Sequence, residues 1–232
     1  MRLDLNADLG EGSGADADLM PLVTSANVGC GGHAGDPATS RIALELAARH
    51  GVAVGAHPGY PDRDHFGRRE LPADARQAGT LCFYQVGGLL GLAKAVGVPV
   101  RYLKPHGGLY NQACRDPGLA GPVVAAALLH GLAVVGLPGS ALQRAAAAAN
   151  VPFVPEGFAD RRYRPDGSLV PRSDPDAFVR DPAEAVEQAV RLAKECGVRT
   201  LCVHGDNTEA VAFASAVRAG LLARGFALAP FA

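Results

Sequence analysis

The start of the chain carries carboxylates in a pattern that is typical of a chemical site. In residues 3–8 the side chains alternate between the two faces of a predicted strand. One face is apolar, and the other holds Asp4, Asn6 and Asp8. We expect helices to pack against the apolar face, so the polar face points into the interior. Burial of an unpaired carboxylate there is costly in free energy. The pattern predicts acid–base or metal-assisted hydrolysis, with Asp8 as a base for water and Asn6 as a substrate contact.

Ionisable residues also close other predicted strands. Lys104 ends an apolar strand in a chain with only three lysines, so surface solvation explains it poorly. We assign it to stabilise the oxygen on which negative charge develops. His57 ends another strand and is the alternative base. Three further residues are predicted to orient the reacting groups or relay protons: His106, His204 and Asp206.

Loop residues supply further candidates. His33 lies in a glycine-rich turn, where it has no evident packing role, and is predicted to bind substrate. Arg68 and Arg161 each belong to a loop pair of arginines, which is either a clamp for a substrate carboxylate or ordinary surface. Three other histidines are interpreted as structural or solvent-facing: His50, His65 and His130.

Composition narrows the class of protein. The net charge of −1 offers no electrostatic basis for binding nucleic acid or an anionic membrane. No apolar run approaches the roughly 20 residues of a membrane span, and the charged start is unlike a signal peptide. The five cysteines are odd in number and lack C-x-x-C spacing, so we expect reduced thiols and a cytoplasmic protein. The sequence contains neither a P-loop nor a nucleophile elbow.

Short apolar runs alternate with longer helical stretches, the pattern of a parallel sheet covered by helices. The predicted strands are residues 2–8, 24–29, 52–57, 100–104, 132–137, 153–156 and 201–204. The predicted helices are residues 38–50, 73–96, 118–130, 141–150, 182–196 and 209–224. Parallel strands place ligands and catalytic groups at their carboxyl ends, where we expect the polar residues to meet. No flexible linker interrupts the pattern, so we predict one α/β domain over residues 1–232.

Eight ordered segments resemble the signature blocks of the LamB/YcsF family. They cover nearly the whole chain: residues 4–11, 24–27, 30–37, 55–62, 66–69, 104–111, 156–163 and 203–207. The resemblance implies a single-domain, seven-stranded (β/α) barrel of the glycoside hydrolase and deacetylase type. It also implies substrate-binding roles for Asn111, Glu156 and Asp160. The chain departs from the family at Gly32, where an aromatic residue is usual, and in its short segment 12–18.

The resemblance further implies 5-oxoprolinase activity, in which 5-oxo-L-proline, ATP and water yield L-glutamate, ADP and phosphate. It implies partner subunits B and C, an ATP site that the partners could carry, and Mg²⁺ accompanying the ATP. The sequence is also compatible with a homo-oligomer. Two alternatives are also compatible with the sequence. One is a divalent-metal-dependent deacetylase or hydrolase, in which architectural analogy suggests Asp8, His33 and His57 as the metal ligands. The other is a non-catalytic subunit that presents oxoproline to its partners.

Overall fold

Seven parallel strands close into a barrel, as the family resemblance implies. The structure, a computed structural model, describes residues 1–204 and 209–231. The strands pair in chain order, and the ring closes because β1 pairs with both β2 and β7, while a short eighth strand adds to the start of β1. The strands are β1 Arg2–Leu9, β2 Ser25–Gly29, β3 Ala53–His57, β4 Val100–Leu103, β5 Ala133–Gly136, β6 Phe153–Phe158, β7 Thr200–Val203 and β8 Ala227–Leu228.

Helices between the strands cover the outside of the barrel. They are α1 Asp16–Leu19, α2 Pro37–His50, α3 Ala75–Val96, α4 Gly107–Arg115, α5 Pro117–Leu129, α6 Ala141–Ala148, α7 Pro182–Glu195 and α8 Ala210–Ala223. Aspartates cap the N-termini of the long helices α2 and α3. Asp36 accepts a hydrogen bond from Thr39 N at 2.8 Å, and Asp74 accepts one from Gln77 N at 2.7 Å. Gly51, in the left-handed conformation with φ 66°, caps the C-terminus of helix α2.

Helix α4 is not predicted from the sequence, because its first residues, Gly107 and Gly108, favour a turn. The structure requires glycine there for a different reason. A Cβ on Gly108 would lie 2.1 Å from the carbonyl oxygen of Arg69. The missing side chain lets α4 start directly against the loop that follows β3. Elements α1 and β8 are also not predicted, since both are too short to show a periodic pattern.

The barrel has two different interiors. Between strands and helices the packing is apolar, and Leu3 and Leu5 of β1 belong to that core. Inside the ring, Asp4 and Asn6 of the same strand are 1% exposed. Both form hydrogen bonds with polar side chains from other strands. The strand therefore separates its faces as the alternation predicts. Within the described ranges, no helix combines the length and apolar composition needed to cross a membrane.

Candidate active site

Lys104 lies at the centre of a charged cluster inside the barrel. It directly follows β4 and is 1% exposed. Its Nζ lies 2.8 Å from Glu156 Oε1 and 3.1 Å from Asp8 Oδ1. It also contacts Cys202 Sγ at 3.1 Å and Asn6 Oδ1 at 3.3 Å. Burial lowers the pKa of Lys104, but the negative charges around it, Asp8 foremost, hold that pKa well above its usual value. The side chain is therefore a fixed ammonium.

Asp8, near the end of β1, links this ammonium to the histidines. Its Oδ1 accepts hydrogen bonds from Lys104 and from Asn27 Nδ2, at 3.1 and 2.8 Å. Its Oδ2 lies 3.4 Å from His57 Nε2. Burial alone would raise the pKa of Asp8, but His57 and Lys104 hold it well below its usual value. Asp8 is an ionised carboxylate, the form that accepts a proton.

Three of the candidate histidines meet beside Asp8 and are joined by Glu11. The rings of His33 and His106 stack with centroids 3.7 Å apart, and His57 meets His106 edge-on. Glu11 Oε1 lies 2.7 Å from His33 Nε2 and 3.5 Å from His106 Nδ1. All four residues are buried. Burial lowers the pKa of His33, and burial with the neighbouring His33 and His57 lowers that of His106 further.

His204 approaches the cluster from the end of β7. Its Nδ1 lies 2.6 Å from Asp160 Oδ2, and its ring stacks on Phe158 with centroids 5.7 Å apart. Burial would raise the pKa of Asp160, but His204 holds it below its usual value. One metal-ligand-type atom each of Asp8, Cys202 and His204 lies within 4.8 Å of the others. The pair of His204 and Asp160 therefore borders the Lys104 site. The remaining candidate of this strand end, Asp206, lies outside the described residues.

The two candidate arginines have different surroundings. Arg161 is buried, and its guanidinium donates to the carbonyl oxygens of Ala177 at 3.3 Å and Val170 at 2.5 Å. It therefore braces the loop between β6 and α7. Arg68 is half-buried, with its guanidinium 4.8 Å from the centre of the Phe66 ring, which packs against the histidine cluster. The third candidate here, Asn111, is half-buried on α4. Substrate contacts by these three side chains stay predictions.

Strand register brings in residues that single-strand patterns do not predict. Asn27 of β2 pairs in register with Asp8, and Cys202 of β7 pairs with Asn6. Glu11 follows the end of β1, beyond the alternation that marks the inward face. Its only sequence signal is its place in the first signature block. The neighbours of a side chain across a barrel depend on strand order and register, which one strand does not encode.

The space beside Gly32 is filled by Gln85 of α3. A Cβ on Gly32 would lie 2.4 Å from Gln85 Nε2. Gln85 in turn accepts from Gly59 N at 3.0 Å and donates to Gly59 O at 2.7 Å, fixing the loop after β3. A larger residue at position 32 would displace this amide. Glycine at position 32 therefore leaves the space that the Gln85 side chain occupies.

Comparisons with known proteins agree along the whole chain. The family model described as LamB/YcsF family matches residues 3–232. A protein of Methylococcus capsulatus strain Bath, named as the A subunit of 5-oxoprolinase, is 46% identical over 98% of this chain and 95% of its own length. A protein of Tolumonas auensis with the same name is 44% identical over 97% of each chain.

Solved structures show the same architecture. The crystal structure of the lactam utilization protein from Thermus thermophilus superposes with a TM-score of 0.91, 40% identity and full coverage of both chains. A family 4 carbohydrate esterase from Streptomyces lividans superposes with a TM-score of 0.55 over 100% of this chain and 93% of its own. At 11% identity, that second likeness shows the fold alone.

Proposed function

This chain belongs to the LamB/YcsF family, and we propose on that premise that it is the A subunit of a 5-oxoprolinase. In this proposal it opens the lactam ring of 5-oxo-L-proline to give L-glutamate. Partner subunits B and C take part, and ATP with Mg²⁺ is consumed. The names of the relatives at 43–46% identity support both this role in a complex and the substrate. The observation that carries the chemistry is the buried Lys104 ammonium beside the ionised Asp8.

A five-membered lactam is a resonance-stabilised amide, so water attacks it slowly without activation. Transfer of the γ-phosphoryl group of ATP to the lactam oxygen releases ADP and makes the ring carbon electrophilic. Water then adds to that carbon, the ring C–N bond breaks, and the nitrogen takes up the protons of the water as a free amine. The product is an acyl phosphate, and a second water hydrolyses it to glutamate and phosphate. The scheme consumes one ATP and two waters.

Each step needs a group that the site contains. Asp8 accepts the proton of the attacking water, a contribution of typically about 10²–10⁴ in rate. Lys104 stabilises the oxygen on which negative charge develops, where one electrostatic contact supplies about 3–4 kcal/mol. His204, held by Asp160 at 2.6 Å, returns a proton to the leaving nitrogen. Arg68 binds the substrate carboxylate. We retain Asp8 over His57 as the base because His57 Nε2 faces His106 at 2.9 Å.

Phosphorylation is assigned to the partner subunits. The sequence lacks the P-loop and the kinase-type glycine loop that cradle ATP phosphates. The experiment measures oxoproline-dependent ADP release by the purified chain, and again after subunits B and C are added. We expect release only when all three are present. Robust release by the chain alone would contradict the division of labour, and an active pair of B and C without this chain would make it a non-catalytic presenting subunit.

A further inference from the structure

The histidine cluster contains two ring nitrogens that face each other at 2.9 Å, while the second nitrogen of each ring contacts a backbone carbonyl. His57 Nδ1 lies 2.8 Å from the carbonyl oxygen of Lys104, and His106 Nε2 lies 2.8 Å from that of Phe66. A carbonyl oxygen only accepts, so both of these nitrogens carry the hydrogen. In neutral rings the opposite nitrogens, His57 Nε2 and His106 Nδ1, then present lone pairs to each other across 2.9 Å. Such a contact is stable only with a positive charge between the nitrogens, which is either a proton held by one of them or a metal ion bound to both.

Glu11 supplies a third atom of the kind that binds metals, beside these two nitrogens. Its Oε1 lies 3.5 Å from His106 Nδ1 and 3.8 Å from His57 Nε2. A tetrahedral zinc ion with bonds of about 2.0–2.1 Å holds neighbouring ligand atoms about 3.3 Å apart. The observed spacings of 2.9, 3.5 and 3.8 Å surround that value. We propose that Glu11, His57 and His106 bind one divalent transition-metal ion, zinc or a close relative, through these three atoms.

The surroundings of the three donors match those of metal ligands. Both histidines donate their second ring N–H to a backbone carbonyl, which fixes the tautomer and the ring orientation that a metal site needs. His33 Nε2, at 2.7 Å from Glu11 Oε1, orients the carboxylate. Two imidazoles with one carboxylate favour zinc over the harder magnesium or calcium. Three protein ligands leave a fourth position for water or substrate.

The set differs from the ligands that architectural analogy with deacetylases suggests, which are Asp8, His33 and His57. Asp8 Oδ1 is already paired with the Lys104 ammonium at 3.1 Å. A second group of ligand-type atoms is formed by Asp8, Cys202 and His204. The same ammonium lies within this group, 3.1 Å from Cys202 Sγ. A positive charge is therefore built into that group by the chain. The Glu11 group consists of one carboxylate and three imidazoles.

The test is direct metal binding by the whole chain after chelator treatment and dialysis. Titration with Zn²⁺ is followed by calorimetry, and titration with Co²⁺ by the visible absorption of its tetrahedral complexes. We expect one equivalent to bind to the wild type. Affinity in Glu11→Gln and in His106→Gln should fall by more than about a hundredfold. His33→Gln, which alters only the support, should lose about 10–100-fold. The surface variant His50→Gln is the matched control and should bind like the wild type.

Folding of each variant is checked by circular dichroism without metal. If His106→Gln does not fold, the isosteric Glu11→Gln and the metal-dependent rise in the melting temperature of the wild type decide the question. No saturable binding by the wild type overturns the proposal. Unchanged affinity in Glu11→Gln also overturns it, because the ion would then lie elsewhere. The readout is binding, so the proposed 5-oxoprolinase activity can fail without affecting this result, and the reverse also holds.

Discussion

Two aspartates at opposite ends of the barrel interior have pKa values that are shifted in opposite directions. Asp4 and Asp8 lie on one face of β1, with Asn6 between them on that face. Asp4 accepts hydrogen bonds from neutral hydroxyls, those of Thr24 and Ser25 at 2.6 Å and that of Thr200. Its pKa is raised to about 6, mainly by burial.

Asp8 is equally enclosed, but charged partners surround it. Lys104 and His57 hold its pKa well below the usual value, against the effect of burial. The comparison shows that burial alone does not set the protonation state of a carboxylate in this barrel. The charge of the partners decides it, and the cationic partners of this strand lie at the carboxyl end of the barrel.

The largest expected effect is the difference in activity between two equivalent substitutions. Asp8→Asn removes the base without changing its shape, so oxoproline turnover by the assembled complex should fall by about 10²–10⁴. Asp4→Asn, on the same face of the same strand, should leave kcat within about threefold, because it lies outside the reacting end. Steady-state kinetics of both variants in the presence of B and C measure this. Equal losses would mean that the two ends are not functionally distinct.

Replacement of the central ammonium should affect both rate and stability. Lys104→Met should lower activity at least about a hundredfold through loss of an electrostatic contact. It also leaves two buried carboxylates without their cation, so the free energy of unfolding should fall by about 3–5 kcal/mol. Urea denaturation measures the second effect, with the exposed Lys94→Ala as control.

A double variant separates the two effects of Lys104. Lys104→Met combined with Glu156→Gln removes one of the uncompensated charges, so stability should recover in part. Activity should not recover, because the cation is still absent. If activity returned together with stability, Lys104 would be a structural residue, and its assignment at the reacting oxygen would be wrong.

The smallest expected effect is a pH dependence of stability from Asp4. Its pKa is about 6 in the folded protein and 3.8 in a solvated chain. Between these values the folded state binds more protons, so this residue lowers the free energy of unfolding as the pH rises from about 4 to about 6. Asp4→Asn should remove that component, while the exposed Asp18→Asn should retain it. Urea denaturation at several pH values tests this, and identical profiles for all three proteins would contradict the assigned cause.

The sequence alone determined the α/β class, because period-two strands and glycine-terminated helices are local patterns that each segment carries by itself. The closed barrel was implied only by the resemblance to the LamB/YcsF family. It also determined which strand ends are polar, and this pattern predicts Asp8, His57, Lys104 and His106 as site residues. Helix α4 was not predictable, since its paired glycines allow a close approach to Gly67 and Arg69 that only the folded chain contains.

Tertiary structure alone decided which polar groups are partners. Glu11 joins the histidines, and Asn27 and Cys202 reach Asp8 and Lys104, because closing the ring sets strand order and register. The same closure gives one aspartate of β1 hydroxyl partners and the other an ammonium. Electrostatic interactions between buried groups depend on distances of a few ångströms between segments far apart in sequence. No local pattern encodes those distances, so the protonation states of the site follow from the fold.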